Sequence, residues 1–186
     1  VAHAANAELF YVSPSFDEIG RSSLTATERG ANSVLRVFIE DDWWESLTET
    51  HKSQASSELN SILSEFQSVI YPGFRDYYGE EANPGIDEDP LVVMLLSDLI
   101  DSAGGYFREG DQVSVDVYPD SNERELMHLN ADLLLAGDRF PAFLAHEFQH
   151  LITSNEKRIK QGIQEEIWLN EARSEYAAQI LGYDDS

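Results

Sequence analysis

The sequence contains no cysteine among its 186 residues. That absence excludes disulfide bonds, thiolate metal sites and cysteine nucleophiles, so any metal must be held by histidine, carboxylate or water. Basic residues are also scarce, with 12 lysines and arginines against 35 aspartates and glutamates and a formal net charge of −23. This charge repels the phosphates of nucleic acids and of anionic membranes. We therefore expect no nucleic-acid partner.

Long hydrophobic runs are missing as well. The apolar run at 91–96 is far shorter than the roughly 18 apolar residues that would span a bilayer. We therefore predict no membrane insertion. The length of the chain and its apolar content of 42% are typical of one compact domain, here residues 1–186.

Residue periodicity predicts an α+β fold. Residues 1–32 are rich in Ser, Thr and Gly and are predicted to be mainly loop, with a short strand near Leu9–Val12. Runs of β-branched and aromatic residues predict strands, the second of them central, at 34–40, 91–96, 113–117 and 125–130. Helical spacing predicts a long or broken helix over 45–71 that ends before Pro72, a helix over 138–154 capped by Asp138, and a helix over 165–181. We expect a mixed twisted sheet packed against these helices.

One pentapeptide carries most of the chemical information. In His146-Glu147-Phe148-Gln149-His150, two imidazoles lie four residues apart on a predicted helix, so both can reach one ion. A catalytic zinc commonly takes a third protein ligand from another element. Glu171, on the next predicted helix, meets that need. The alternative is that the histidines and the glutamate simply occupy solvated helix faces.

Two further residues of the last helix are expected to support the ligands. Glu175 falls one turn after Glu171 on the same face, where it could accept the free ring N–H of a ligand histidine. Asn170, adjacent to Glu171, is also expected to lie in the outer shell of the metal site. Glu147, next to His146, points near the metal without binding it and is predicted to be the general base that takes a proton from a zinc-activated water.

These segments resemble those of the gluzincin metallopeptidases, in which a His-Glu-x-x-His helix is followed by a glutamate-bearing helix. Residues 170–175 are similar to the thermolysin version, with Glu175 where that family has aspartate, and 168–171 resembles zinc aminopeptidases. A closer resemblance, to the hyicolysin-like family, rests on Ala145–Ile152, Ala103–Phe107 and Ser121–Glu123. It spans roughly Asp87 to Glu175.

The resemblance implies a zincin-like fold, one catalytic zinc ion and hydrolysis of peptide bonds in a peptide or protein substrate. It also implies a secreted enzyme, extracellular or at the cell surface, although no signal peptide is recognisable. An endopeptidase is the first expectation, and an aminopeptidase is the alternative. A non-catalytic, zinc-stabilised module of a larger surface protein is a third hypothesis, which Glu147 argues against because a structural zinc needs no base.

Several weaker candidates complete the predicted site. An oxyanion helper is expected among Tyr176, Tyr106, His128 and Tyr183, although aromatic residues more often pack in a core. The predicted strand 125–130 is our candidate for the sheet edge that binds substrate.

Phe143 resembles in position a wall of the substrate pocket, with core packing as the alternative. The acidic triplet Asp87-Glu88-Asp89 could bind Ca²⁺ or form a solvated loop. Because the sequence ends soon after Glu171, the C-terminal subdomain of thermolysin-like enzymes is expected to be absent or minimal.

Overall fold

The computed structural model describes residues 7–137 and 139–183. Its six strands are β1 (Ala7–Tyr11), β2 (Ser23–Ala31), β3 (Leu35–Glu40), β4 (Val92–Ser97), β5 (Gly105–Phe107) and β6 (Leu126–Asn130). They form one sheet in the order β1-β2-β3-β4-β6-β5. Pairing is antiparallel from β1 to β3, parallel from β3 through β4 to β6, and antiparallel between β6 and β5. The sheet is therefore mixed, as predicted.

The helices complete an α+β architecture. They are α1 (Asp41–Ser46), α2 (Glu49–Glu65), α3 (Tyr71–Tyr78), α4 (Leu133–Ala136), α5 (Phe140–Thr153) and α6 (Ile167–Ile180). The main core lies between one sheet face and the helices, where Phe66, Phe74 and Phe148 are fully buried. A smaller cluster that includes Phe10 and Phe38 covers the opposite face. No helix of the described residues is long and apolar enough to cross a membrane.

The central strand was predicted correctly. All six residues of β4 are buried, and the strand lies between β3 and β6. Its continuous apolar sequence matches a strand covered on both faces. The predicted strand at 125–130 is also present, but it is an interior strand, because β5 pairs with its outer side. The predicted substrate-binding edge at 125–130 is therefore not an edge of the sheet, and β5 occupies the outer position instead.

Two strand predictions were wrong. The segment 1–32 was predicted to be mainly loop, but besides the short predicted strand it contains the nine-residue β2. This strand pairs with β1 and β3, and its polar composition gave no strand signal in the sequence. Residues 113–117 alternate like a strand but form turns, and Val117 is 75% exposed. Alternation without a neighbouring strand to supply hydrogen bonds does not make a sheet.

The first long helix does not stop at Pro72. A π-helical segment, Phe66–Ile70, joins α2 to α3, and the backbone N–H of Tyr71 donates to the carbonyl of Phe66, five residues back. Pro72 then stands in the first turn of α3, where its missing N–H is tolerated. Helix α5 begins at Phe140 with Pro141 in its first turn, as expected. Asp138, the predicted cap, lies outside the described residues.

Candidate metal centre

Helices α5 and α6 bring the three predicted ligands together. The Nε2 atoms of His146 and His150 are 3.0 Å apart. The Glu171 carboxylate places Oε2 3.4 Å from Nε2 of His146 and Oε1 3.6 Å from Nε2 of His150. Near the start of α6, Asn170 contacts His150, and farther along the helix Glu175 approaches His146, which comes earlier in α5. The two helices are therefore antiparallel.

The three side chains fit the tetrahedral coordination of a zinc ion. Bonds of about 2.0–2.1 Å from a zinc ion give neighbouring ligand atoms a separation of about 3.3 Å in a tetrahedron. The observed separations between the histidine and carboxylate atoms lie close to that value. No other cluster of three His, Asp or Glu side chains with this proximity occurs among the described residues.

A hydrogen-bond chain orients the second histidine. Nδ1 of His150 is 3.2 Å from Oδ1 of Asn170, and the Ser174 hydroxyl lies 3.3 Å from the same nitrogen. Because that hydroxyl donates to Oε1 of Gln149 at 2.7 Å, the Nδ1–H of His150 is left to donate to Asn170. This arrangement leaves the Nε2 lone pair of His150 available for a metal.

Asn170 therefore lies within hydrogen-bond distance of a predicted ligand. Glu175 lies farther from its partner, with Oε1 3.7 Å from Nδ1 of His146, beyond hydrogen-bond range. Ser174 was missed by the sequence reasoning, although its position one turn after Glu171 puts it on the same helix face.

Glu147 lies beside the triad in a water-poor position. Its side chain is only 4% exposed, and its Oε2 atom has no hydrogen-bond partner among the described residues. Burial, reinforced by the negative charge of Glu171, raises the pKa of the Glu147 carboxyl well above its ordinary value. An unpartnered buried carboxyl oxygen next to two histidines and a carboxylate is what a metal and its water would satisfy.

Strand β5 packs directly on Glu147 through a glycine. A Cβ atom at Gly105 would lie 2.8 Å from the carbonyl oxygen of His128 and 3.0 Å from Cγ and Oε1 of Glu147. The backbone of β5 can therefore approach α5 this closely only because position 105 has no side chain.

Replacing Gly105 by alanine is expected to lower the free energy of unfolding by about 1–3 kcal/mol, because β5 and the Glu147 side chain must move apart. Urea denaturation of the variant and the wild type measures this difference. An unchanged urea midpoint would show that β5 can shift without cost.

A cleft of about 420 Å³ opens over the triad. Among the predicted site residues it is lined by His146, Glu147, His150, Asn170, Glu171 and Tyr106. The hydroxyl of Tyr106 accepts a hydrogen bond of 3.0 Å from the backbone N–H of Ser13. Its hydrogen-bond partner is therefore not one of the three proposed ligands.

The structure does not bring the other aromatic candidates into the cleft lining. His128 is fully buried beneath Tyr106, with which it stacks. Tyr176 is 61% exposed on α6, and the Tyr183 hydroxyl donates to Glu65 at 2.5 Å. Phe143 packs its ring against Gly104.

The acidic triplet at 87–89 is engaged in its own loop. Asp87 accepts from the backbone N–H of Asp89, and Asp89 accepts from that of Leu91 and pairs with Arg36 at 3.2 Å. These contacts match the solvated-loop alternative.

The neutral metalloprotease ShpI of Staphylococcus hyicus is 28% identical to this chain over 131 residues. The chain is similar to a metalloprotease. The match covers 62% of this chain and 29% of the relative, so the chain corresponds to less than a third of that protein. No family model matches the chain. The likeness agrees with the metallopeptidase resemblance of the sequence at that general level.

Proposed function

We propose that the protein is a zinc-dependent peptidase of the gluzincin type, with His146, His150 and Glu171 as the metal ligands. The observation that carries the proposal is the convergence of these three side chains beside a buried carboxyl group, Glu147, whose Oε2 has no partner among the described residues. The similarity to a neutral metalloprotease supports peptide-bond hydrolysis as the reaction.

A zinc ion at this position would supply a Lewis acid that polarises a carbonyl oxygen and lowers the pKa of water. Glu147 accepts the proton of the attacking water on its carboxyl group and delivers it to the leaving amine. Asn170 and Ser174 keep the His150 ring in one orientation throughout.

Strand β5 is the proposed platform for the substrate backbone. It is the last strand of the sheet, and no other strand of the described residues pairs with its outer edge. Gly105 and Phe107 of this strand line the cleft beside Glu147. An extended peptide can add to such an edge through main-chain hydrogen bonds, which places a scissile bond near the triad. This mode suits an endopeptidase acting on unfolded segments of proteins.

The fold, the family and the location of the protein are proposed from the resemblance of its motifs. We propose a zincin-like fold and membership of the hyicolysin-like family, and an extracellular or cell-surface location. The segments that carry this resemblance include the α5 motif and β5, which the structure places against each other.

The proposal is tested by metal analysis together with proteolysis. Purified protein is expected to contain one zinc ion per chain after dialysis and to cleave a chemically unfolded protein. A chelator should abolish cleavage, and added zinc should restore it. Zinc at unit stoichiometry without cleavage of any unfolded substrate would refute the peptidase assignment, while absence of binding after zinc supplementation would refute the ligand set.

Removal of one ligand histidine gives a sharper test of the metal site. The His146→Ala variant is expected to bind zinc more than about 100-fold more weakly, since two ligands remain. His51→Ala provides the matched control, because His51 is exposed on α2, away from the triad. Competition with a fluorescent zinc chelator measures both affinities. Equal affinities for the two variants would place the metal elsewhere.

A further inference from the structure

Positive charge is scarce in this chain, and nearly all of it is paired. Of the 12 lysines and arginines, ten have a carboxylate partner within 4.0 Å: Arg21, Arg29, Arg36, Lys52, Arg75, Arg108, Arg124, Arg158, Lys160 and Arg173. The other two are Arg139, whose guanidinium lies over the Phe143 ring, and Lys157. Lys157 forms no ion pair or side-chain hydrogen bond with any described residue. It is therefore unusual in a protein with a net charge of −23.

Lys157 lines the proposed catalytic cleft. It belongs to the π-helical segment Ser154–Ile159, which continues α5 beyond the zinc-ligand motif. The seven positions that separate it from His150 correspond to about 10 Å along a helix. The Lys157 ammonium group is thus carried by the same continuous helical segment as the proposed ligands His146 and His150, at one end of the cleft.

The carboxylates of the same cleft are engaged by other groups. Glu165 accepts two hydrogen bonds of 2.6 Å from Arg173, and Glu109 pairs with Arg158 at 3.7 Å. Glu171 faces the two histidines.

The carboxylate next to Lys157 in the sequence is also engaged elsewhere. Glu156 accepts from Nζ of Lys160 at 2.6 Å and from the backbone N–H of Glu80 at 3.0 Å. Lys157 therefore contributes a positive charge to the cleft that no described carboxylate balances by direct contact.

We propose that Lys157 is a specificity-determining residue that selects substrates with an acidic side chain near the scissile bond, an inference that rests on the proposed peptidase function. An extended peptide advances about 3.3 Å per residue, so 10 Å corresponds to about three residues. Because the lysine side chain can bend back toward the metal, the acidic residue is placed two or three positions from the scissile bond. A glutamate there gains a charge-assisted contact that a glutamine lacks.

The test compares two sets of peptides that differ only in Glu or Gln at each of the three positions on either side of the cleaved bond. With the zinc-loaded wild type, kcat/KM is expected to be about fivefold higher for Glu than for Gln at one position two or three residues from the bond. Lys157→Gln should reduce this ratio to near one, and Lys157→Glu should invert it. The ratio should also decrease with added salt.

Lys160→Gln is the matched control, since Lys160 lies on the same helical segment but pairs with Glu156 and does not line the cleft. It should keep the wild-type ratio. Cleavage with an unchanged Glu-to-Gln ratio in both Lys157 variants would overturn the inference and leave the peptidase assignment intact.

A protein that cleaves no peptide would instead refute the proposed function. In that case, binding of the same peptides to zinc-loaded Glu147→Gln protein, measured by fluorescence anisotropy, still decides the role of Lys157. Equal affinity for Glu and Gln peptides there would refute the acidic preference.

Discussion

Replacing Glu147 by glutamine is expected to lower kcat/KM for peptide cleavage by about 1,000-fold, with zinc still bound at one ion per chain. Glutamine has nearly the same shape but its amide cannot accept the proton of the attacking water. The Glu147 side chain is not among the three converging ligands, so the metal should stay in place. Steady-state assays with a fluorogenic peptide, together with metal analysis of the same sample, measure both quantities.

The same substitution should not destabilise the protein. Oε2 of Glu147 is buried without a hydrogen-bond partner among the described residues, and the residue as a whole is 4% exposed. An uncharged side chain avoids the cost of burying a carboxylate beside Glu171. Equal or higher stability of the metal-free variant, with cleavage lost, would separate a chemical role from a structural one.

Glu166→Gln is the matched control for this experiment. Glu166 is exposed immediately before α6 and does not line the cleft. Its replacement is expected to leave kcat/KM unchanged. Retention of more than about a tenth of wild-type activity by Glu147→Gln would mean that another group performs the proton transfer.

The proposed ligand set was predictable from the sequence because its geometry is mostly local. The spacing of His146 and His150 fixes their relation on any α-helix, whatever surrounds it. Glu171 required one further assumption, that the next helix folds back on the first, and the α5–α6 contacts agree with it. The central strand β4 was equally predictable, since a short continuous apolar run is typical of a strand covered on both faces.

The remaining features depend on distant partners and escaped the sequence reasoning. Strand β2 has a polar sequence and is a strand because β1 and β3 flank it. Strand β5 has three residues, too few for a periodic signal, yet it carries Gly105 against Glu147. The π-helical segment before α3 lets Pro72 lie within a longer helical run. None of these contacts produces a periodic pattern of apolar residues in the sequence.

Replacing Asp111 by alanine is expected to lower the free energy of unfolding by about 3–5 kcal/mol, the largest stability effect that we predict. Asp111 is fully buried and accepts from Nε2 of His128 at 2.9 Å, from the guanidinium of Arg108, and from Nδ2 of Asn122 at 2.7 Å. Alanine would leave the half-buried guanidinium of Arg108 without its counter-charge. Urea denaturation at neutral pH measures the loss.

The cluster of Asp111, Arg108, His128 and Asn122 also stabilises the position of β5, the strand beside the proposed active site. Asn122 exchanges hydrogen bonds with the backbone of Tyr11 in β1, and Arg108 directly follows β5. The His128 ring, held by Asp111, stacks on Tyr106 of β5. Loss of the carboxylate should therefore loosen β5 as well as the loop at 109–124. Asp116→Ala, an exposed change in the same loop, is the control and should leave stability within about 0.5 kcal/mol of wild type.

The difference between wild type and Asp111→Ala should depend on pH in a defined direction. Burial alone would raise the pKa of Asp111, but the hydrogen bonds and charges of His128 and Arg108 outweigh burial and hold it below its ordinary value. A carboxyl group whose pKa is lower in the folded state stabilises the protein above its unfolded pKa of about 3.9 and loses that contribution as the pH falls through the folded value.

The stability difference is therefore expected to shrink below about pH 4, as Asp111 takes up a proton. Protonation of the many other carboxylates also changes stability with pH, but both proteins share that effect, so it cancels in the comparison. A difference that stays constant down to pH 3, where both proteins can still be unfolded by urea, would mean that alanine acts through lost packing. A difference that shrinks would show that the carboxylate charge of Asp111 carries the stabilisation.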